Sequence, residues 1–289
     1  MLDRRSFLAL GLATGGMVGV GQLLGRLSGE KEDGMVMPDL FVGHCSSMNA
    51  LEDNVFSRGW KEISGRIPRP RAILCISAHW LTRGTSVTAM EKPPTIHDFG
   101  GFPDELFRVE YPAPGNPGLA EETQKLIGYT TINRDYQWGL DHGTWSVARQ
   151  MYPDADIPVL QLSLDYSKPA GFHYELGAAL AVLRKKGVLV MGSGNIIHNL
   201  GVIDFNKPDG YDWAEDLNPL ILRNLEEGNH QYFIEYEKMG RAGKLAIPTP
   251  DHFLPLLYIL GLSDKNKPVQ VFNDKLIMGS ISMTSILVS

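Results

Sequence analysis

Short apolar runs, each closed by glycine, proline or a polar cluster, recur along the chain from residue 39 onward. They read as strands over residues 39–43, 72–77, 85–90, 157–164, 188–191, 269–272 and 280–288. Between them the spacing of apolar positions becomes helical. Residues 49–66 place Leu51, Val55 and Ile63 on one side, and 118–128 follows the loop "PAPGNP". Residues 142–151, 170–186 and 214–227 read as further helices. In "PTPDHFLPLL" Thr249 is the expected N-cap and Pro250 the first helical residue. Pro255 is then expected to break or kink that helix, because it cannot donate to the carbonyl four residues back. Strands alternating with helices predict an α/β fold with a mostly buried sheet.

Composition narrows this picture. The chain has 289 residues, a formal net charge of −6 and 43% hydrophobic residues, enough for a large core. An acidic balance without Lys/Arg clusters argues against a nucleic-acid partner. No Ser/Gly linker, composition shift or internal repeat divides the chain beyond the N-terminus, so residues 36–289 are expected to form one domain. Cys45 and Cys75 are too few for a disulfide framework and are expected to be separate buried thiols.

Residues 1–35 differ. Arg4 and Arg5 precede Phe7, Leu8 and a Gly/Ala-rich apolar run to about Gly25. This pattern resembles a twin-arginine export signal, with Asp3 where such signals usually carry Ser or Thr. No A-x-A cleavage site is evident. The expectation is a periplasmic protein delivered by the twin-arginine export machinery, with the segment removed or kept as an anchor.

The candidate chemistry lies in the histidines. Of eight, four stand at ends of predicted elements: His44 after the first strand, His79 closing "AILCISAHW", His198 after "VLVMGSGNII", and His252 at the start of the helix after Thr249. Ligands of open α/β sheets bind beyond the carboxyl ends of the strands, so histidines there can converge. A helix start disfavours imidazolium, and neutral imidazole is the form that binds metals. Gly43, Ser46, Ser47, Ser77, Ala78, Gly192 and Gly194 are expected to leave room for a metal and a substrate. His142, in "WGLDHGTW", has Asp141 beside it as an orienting partner or a helix cap. His173 is expected in the core or on the surface, and His230 in solvent. His97 lies in the long loop "EKPPTIHDFGGFPDELFRVEYPAPGNP", whose length and aromatics suit a lid or binding loop. No dinucleotide fingerprint, Walker A motif, GxSxG elbow or HExxH helix is present, and "HCSS" singles out no nucleophile.

The stretches "GHCSSMNALEDN", "SAHWLTRGTSVTAMEKPPTIHDFGGFP", "YPAPGNP", "GLDHGTW", "MYPDADIPVLQLSLDYSKPA", "GSGNIIHNL" and "TPDHFLPLLYILG" together resemble the 4,5-DOPA extradiol dioxygenase family of class III, LigB-like ring-cleavage enzymes. The resemblance spans nearly all of residues 39–289 and implies a single α/β domain with a mixed sheet flanked by helices and one metal site. It implies that His44, His79 and His252 bind the metal, that His198 is a fourth ligand or the acid/base residue, and that His142 stands beside the substrate. Wider relatives use two histidines and a carboxylate on Fe(II); His252 stands at the carboxylate's place, with Asp251 next to it. An all-histidine set suits Fe, Zn, Cu or Ni, so Fe(II) is expected for activity, with Zn(II) as a possible occupant.

The implied reaction takes a catechol-type aromatic diol and O2 to a muconic semialdehyde. One group must remove a catechol proton and one must return a proton, and histidine serves both roles near neutral pH. Two other readings share the scaffold: a zinc-dependent hydrolase, and a non-catalytic periplasmic protein that binds a metal or an aromatic ligand.

Overall fold

Both sides of the run "AILCI" are buried. Ala72, Leu74 and Ile76 enter one apolar cluster, and Ile73 and Cys75 enter another. A strand with no solvent face needs a covering layer on each side. The computed structural model describes residues 36–128 and 130–289; the twin-arginine segment expected over residues 1–35 lies outside them.

The strands are β1 Asp39–Gly43, β2 Ala72–Thr82, β3 Thr85–Thr88, β4 Ile132–Asp135, β5 Val159–Asp165, β6 Val188–Gly194, β7 Val269–Phe272, β8 Leu276–Ile277, β9 Ile281–Ser282 and β10 Ser285–Val288. Eight of them form one mixed sheet in the order β4-β3-β5-β2-β6-β1-β10-β7, while β8 and β9 pair separately. The middle strands β5, β2, β6 and β1 are parallel. β10 runs antiparallel to both β1 and β7.

The longer helices are α1 Val55–Arg66, α2 Pro117–Leu126, α3 His142–Met151, α4 Ala170–Leu180, α5 Asp212–Glu226 and α6 Leu254–Leu262. Trp60 and Ile63 of α1 and Trp145 and Val147 of α3 pack with Leu40, Val42, Ile73 and Met191 on one face of the sheet. Leu176 and Leu180 of α4, Ile221 of α5 and Leu256 and Ile259 of α6 pack with Leu74, Ile76, Leu160 and Val190 on the other. The result is a mixed α/β domain with helices on both faces of its sheet, as the strand and helix pattern predicts. Helix α6 is apolar all round because all but Gly261 of its residues are buried.

Several boundaries differ from expectation for identifiable reasons. Residues 47–50 form a separate 3-10 turn, and α1 starts afresh at Asn54, whose side chain accepts from the backbone N–H groups of Phe56 and Ser57 in a capping box. The expected strand 280–288 is split, with Met283 and Thr284 between β9 and β10. Pro255 does not break a helix. The helix begins at Leu254, so the proline occupies its first turn, where a missing N–H costs nothing. The two cysteines are free, Cys75 buried and Cys45 half-buried.

A buried ion pair ties the first strand to the segment before β6. Asp39, with a side chain 1% exposed, lies 2.7 Å from Arg184 Nε as an ion pair and accepts from the Ser263 hydroxyl at 2.9 Å, while the Arg184 Nε–H itself donates to the Met37 carbonyl at 2.6 Å. Burial outweighs both partners and pushes the Asp39 carboxyl up to about 6. A raised carboxyl stabilises the fold below the ordinary carboxylate range, and that contribution is lost as pH rises through about 6. Arg184→Met should therefore cost about 3–5 kcal/mol near pH 8, where the buried charge is left unpaired. The loss should shrink near pH 5, where Asp39 can take a proton. Urea unfolding at the two pH values checks this; an equal loss at both would rule out the unpaired charge as its cause.

Candidate metal centre and active site

The site is built where the parallel strands end. Gly43 of β1 lies opposite Gly194 of β6, and Ser77 of β2 lies opposite Ser193 of β6, so three strand exits share one row. His44 leaves β1 at this row, its N–H donating to the Gly194 carbonyl at 3.1 Å. His79 does not close its strand: β2 runs on to Thr82, and its pairing with β5 shifts register between Ile76 and Leu81. An irregularity of this kind re-aims a side chain within a strand. His142 is the first residue of α3. His252 lies two residues before α6, in the turn at 251–253, rather than in a helix proper.

The three glycines at these exits serve close packing of protein rather than space for a ligand. A Cβ on Gly43 would meet the Met283 carbonyl oxygen at 2.4 Å, one on Gly192 the Pro255 oxygen at 2.7 Å, and one on Gly194 the His252 oxygen at 2.1 Å. These contacts press the 252–255 turn against the end of β6, and the Asn195 N–H donates to the His252 carbonyl at 2.8 Å. Gly143 does the same for α3: a Cβ there would lie 2.7 Å from Ser77 Oγ, 2.9 Å from His79 Cδ2 and 3.1 Å from His44 Cε1.

Five imidazoles converge as a result. The ring centroids of His44 and His79 are 5.1 Å apart, those of His79 and His142 3.9 Å, those of His44 and His252 5.5 Å, and those of His79 and His252 5.0 Å. His198 stacks on His252 at 3.5 Å with planes only 8° apart. Possible donor atoms of His44, His79 and His142 lie within 4.8 Å of one another, and so do those of His198, Asp251 and His252. All five histidines singled out in the sequence thus meet at one end of the sheet. The remaining three do not join them. His97 Nε2–H donates to the Val109 carbonyl at 2.9 Å. His173 is buried against the Tyr258 hydroxyl at 3.1 Å. His230 is buried, contrary to expectation, because the Tyr174 hydroxyl covers its Nδ1 at 3.0 Å.

Hydrogen-bond accounting fixes where the ring protons sit. Ser193 has one hydroxyl hydrogen, and it goes to the Gly143 carbonyl at 2.6 Å. The Ser193 oxygen must then accept from His44 Nδ1–H at 2.9 Å. Asp251 Oδ2 accepts from His252 Nδ1–H at 2.5 Å. Asp98 Oδ1 accepts from both the backbone N–H and Nδ1–H of His142, each at 2.9 Å. Its Oδ2 lies 3.4 Å from His79 Nδ1. The rings of His44, His142 and His252 thus each carry a hydrogen on Nδ1, held by a named acceptor.

Charge follows the same plan. Burial, reinforced by the neighbouring imidazoles, holds His44 well below the usual histidine range and pushes His79 down to about 2 and His198 to about 3. Burial alone would raise Asp98 and Asp251, but their bonds to His142 and His252 prevail: Asp98 falls to about 2 and Asp251 lies well below the carboxylate range. Asp141 is a different case. It caps α3 by accepting from the Thr144 N–H at 3.0 Å and is held by Ser77 at 2.7 Å and Gln161 at 2.6 Å. Its burial raises its carboxyl. The partner of His142 is Asp98, which its place in the sequence did not signal; Asp251 was legible only as the neighbour of His252.

These residues fit a divalent metal. His44, whose ring hydrogen sits on Nδ1, turns its Nε2 to His79 Nε2 at 2.9 Å. Ring nitrogens this close, with a donor atom of His142 within 4.8 Å of both residues' donors, make a set of the kind a divalent cation takes. Neutral imidazoles held through their other nitrogen by an acceptor are the usual form of histidine ligands.

A mixed α/β domain that gathers five imidazoles at its parallel strand ends has the architecture of an enzyme with room for a metal among its histidines. The model of the catalytic LigB subunit of aromatic ring-opening dioxygenase matches residues 40–287. The chain is 47% identical to the 4,5-DOPA dioxygenase extradiol of Escherichia coli (strain K12) over 258 residues, 86% of this chain and 94% of that protein. It is 37% identical to the enzyme of the same name from Beta vulgaris over 242 residues, 81% and 90% of the two chains. The crystal structure of an uncharacterized protein from Escherichia coli K12 matches with a TM-score of 0.77 and 42% identity, covering 88% of this chain and 100% of that one. The chain belongs to the LigB family of aromatic ring-opening dioxygenases, and it is an extradiol dioxygenase.

Gly143→Ala tests the packing that brings the rings together. The added methyl must displace Ser77, His79 or His44. A stability loss of about 1–3 kcal/mol is expected, together with weaker zinc binding in chelator competition. Retention of wild-type zinc affinity would show that the approach of α3 does not set the ligand geometry.

Proposed function

We propose that the chain is a metal-dependent extradiol dioxygenase that inserts O2 into a catechol-type, DOPA-like ring and releases a muconic semialdehyde. The observation that carries this reading is the convergence of His44, His79 and His252, whose ring centroids lie 5.1, 5.5 and 5.0 Å apart, with Nδ1 of His44 and of His252 held by Ser193 and Asp251. These three are the ligands in this reading. A ferrous ion held there would supply chelation of the two catechol oxygens and electron relay between ring and O2; Zn(II) would fit the same donors. The names of the Escherichia coli and Beta vulgaris relatives support a DOPA-like substrate.

His142 and His198 are assigned the proton transfers. Asp98 holds His142 through Nδ1–H, so in this reading Nε2 is the atom that takes a catechol proton. His198 lies parallel to His252 at 3.5 Å, so the in-plane lone pairs of the two rings run side by side. Two such lone pairs do not aim at one ion about 2 Å away. The stack therefore favours His198 as an acid/base residue over a fourth ligand.

Anaerobic reconstitution with Fe(II), followed by catechols and O2, tests the reaction; a yellow ring-opened product is expected. Ester or amide turnover with zinc alone, and none with Fe(II), would instead favour a hydrolase. His44→Ala and His252→Ala should each lose most of the metal, and stoichiometric metal in both would overturn the ligand set. His142→Ala should keep its metal while turnover falls by roughly 10²–10⁴-fold. Undiminished turnover of every catechol would leave His142 a structural residue.

The same proposal places the enzyme in the periplasm, delivered folded and metal-loaded by the twin-arginine machinery that Arg4 and Arg5 would engage. Replacing both by Lys should leave active protein in the cytoplasm. Unchanged delivery of that variant, measured by cell fractionation, would refute the route.

A further inference from the structure

The segment at 91–117 is pinned just ahead of Asp98. The Ile96 N–H donates to the Leu140 carbonyl at 2.7 Å, the Leu140 N–H to the Pro94 carbonyl at 2.8 Å, and Trp145 Nε1–H to the Ile96 carbonyl at 2.8 Å. The chain then presents Asp98 to the start of α3, with its side chain 19% exposed. Phe99 follows and sets its ring edge-on to His142 at 5.5 Å and 85°. Asp98 is thus held from behind by backbone bonds and faces two different imidazoles.

We propose that Asp98 is a positioning residue shared between His79 and His142, one carboxylate oxygen to each, and that it fixes both rings with hydrogen on Nδ1 and Nε2 bare. The proposal rests on the reading of His79 as a ligand and His142 as the base. A neutral imidazole has one ring hydrogen and two places for it. His44 and His252 each have a private acceptor, whereas His79 and His142 depend on the same carboxylate. Oδ1 takes both the backbone N–H and Nδ1–H of His142, and the positive end of α3 reinforces that grip. Oδ2 is left for His79 at 3.4 Å. One side chain from a loop thereby sets ligand orientation and base orientation together.

The two oxygens have different tasks, so two substitutions separate them. In Asp98→Asn the amide oxygen should stay with the two donors of His142, which turns the amide NH2 toward His79 Nδ1–H. Asp98→Ala removes both anchors. Three measurements apply: zinc affinity by chelator competition, the His142 tautomer by two-bond 15N–1H correlation on the zinc-loaded protein, and kcat and KM on the ferrous enzyme. Asp98→Asn should weaken zinc binding by about 10–100-fold and leave His142 with hydrogen on Nδ1. Asp98→Ala should show a similar zinc loss, a His142 hydrogen spread over both nitrogens, and kcat lower by on the order of 10²-fold with KM little changed. Wild-type zinc affinity in both variants overturns the proposal, and so does an unchanged His142 tautomer in Asp98→Ala. His44→Ala in the same zinc assay tests the ligand reading separately: zinc retained there sinks the metal site, while the His142 signal still judges Asp98. Because Asn matches Asp in shape, Asp98→Asn keeps the zinc arm decisive even if Asp98→Ala folds poorly.

Discussion

The site depends on one constraint: five imidazoles are crowded into a largely buried space, and the hydrogens their rings carry must find acceptors away from one another. His44 Nε2 and His79 Nε2 stand 2.9 Å apart, so the remaining ring hydrogens need acceptors on the far side of the rings. Ser193 and Asp251 accept from His44 and His252, and Asp98 Oδ2 lies 3.4 Å from His79 Nδ1. Ser193 depends in turn on the Gly143 carbonyl, because only that bond removes its own hydrogen from competition. A chain of single-hydrogen decisions therefore runs from the backbone of α3 to the face of His44.

The rest of the fold serves that crowding. Parallel pairing of β1, β6 and β2 puts three exits on one row, and the irregularity in β2 turns His79 inward from a strand that continues past it. Glycines at 43, 192 and 194 let the Met283 backbone and the 252–255 turn press against those exits. Two of the acceptors, Asp98 and Asp251, come from connecting segments rather than from the sheet. Segments outside the sheet can shift without breaking ladder bonds, so their pinning contacts, such as Ile96 to Leu140 and Trp145 to Ile96, carry the precision that the sheet cannot supply.

The strands were legible because burial on both faces writes itself as continuous apolar runs, as in Leu74–Cys75–Ile76. The end of β6 was not, since "GSG" has the composition of a turn; the glycines are there for the His252 and Pro255 backbones, a tertiary reason no local pattern carries. His44, His79, His142, His198 and His252 stood out by their places at element ends and by long family motifs. Asp98 did not: its only cue was adjacency to His97 in an aromatic loop, and its partner His142 lies 44 positions away. His230 was misjudged for a similar reason, because the Tyr174 hydroxyl that buries it lies 56 positions off. Fold followed from periodicity, and the anchoring of the site followed from distance in sequence, which periodicity does not record.

Charge balance bears on the proposed all-histidine set. Imidazole ligands would bring no negative charge to a divalent ion, and burying an uncompensated ion of that size is costly. Here two carboxylates stand one ring further out: Asp98 behind His79 and His142, and Asp251 behind His252. Both are held ionised by the imidazole bonds they accept. Their two negative charges match the two positive charges of the ion without occupying a coordination position. Asp251, adjacent to His252 and bonded to its Nδ1–H, would thus supply a carboxylate's charge to the proposed ion without being one of its ligands.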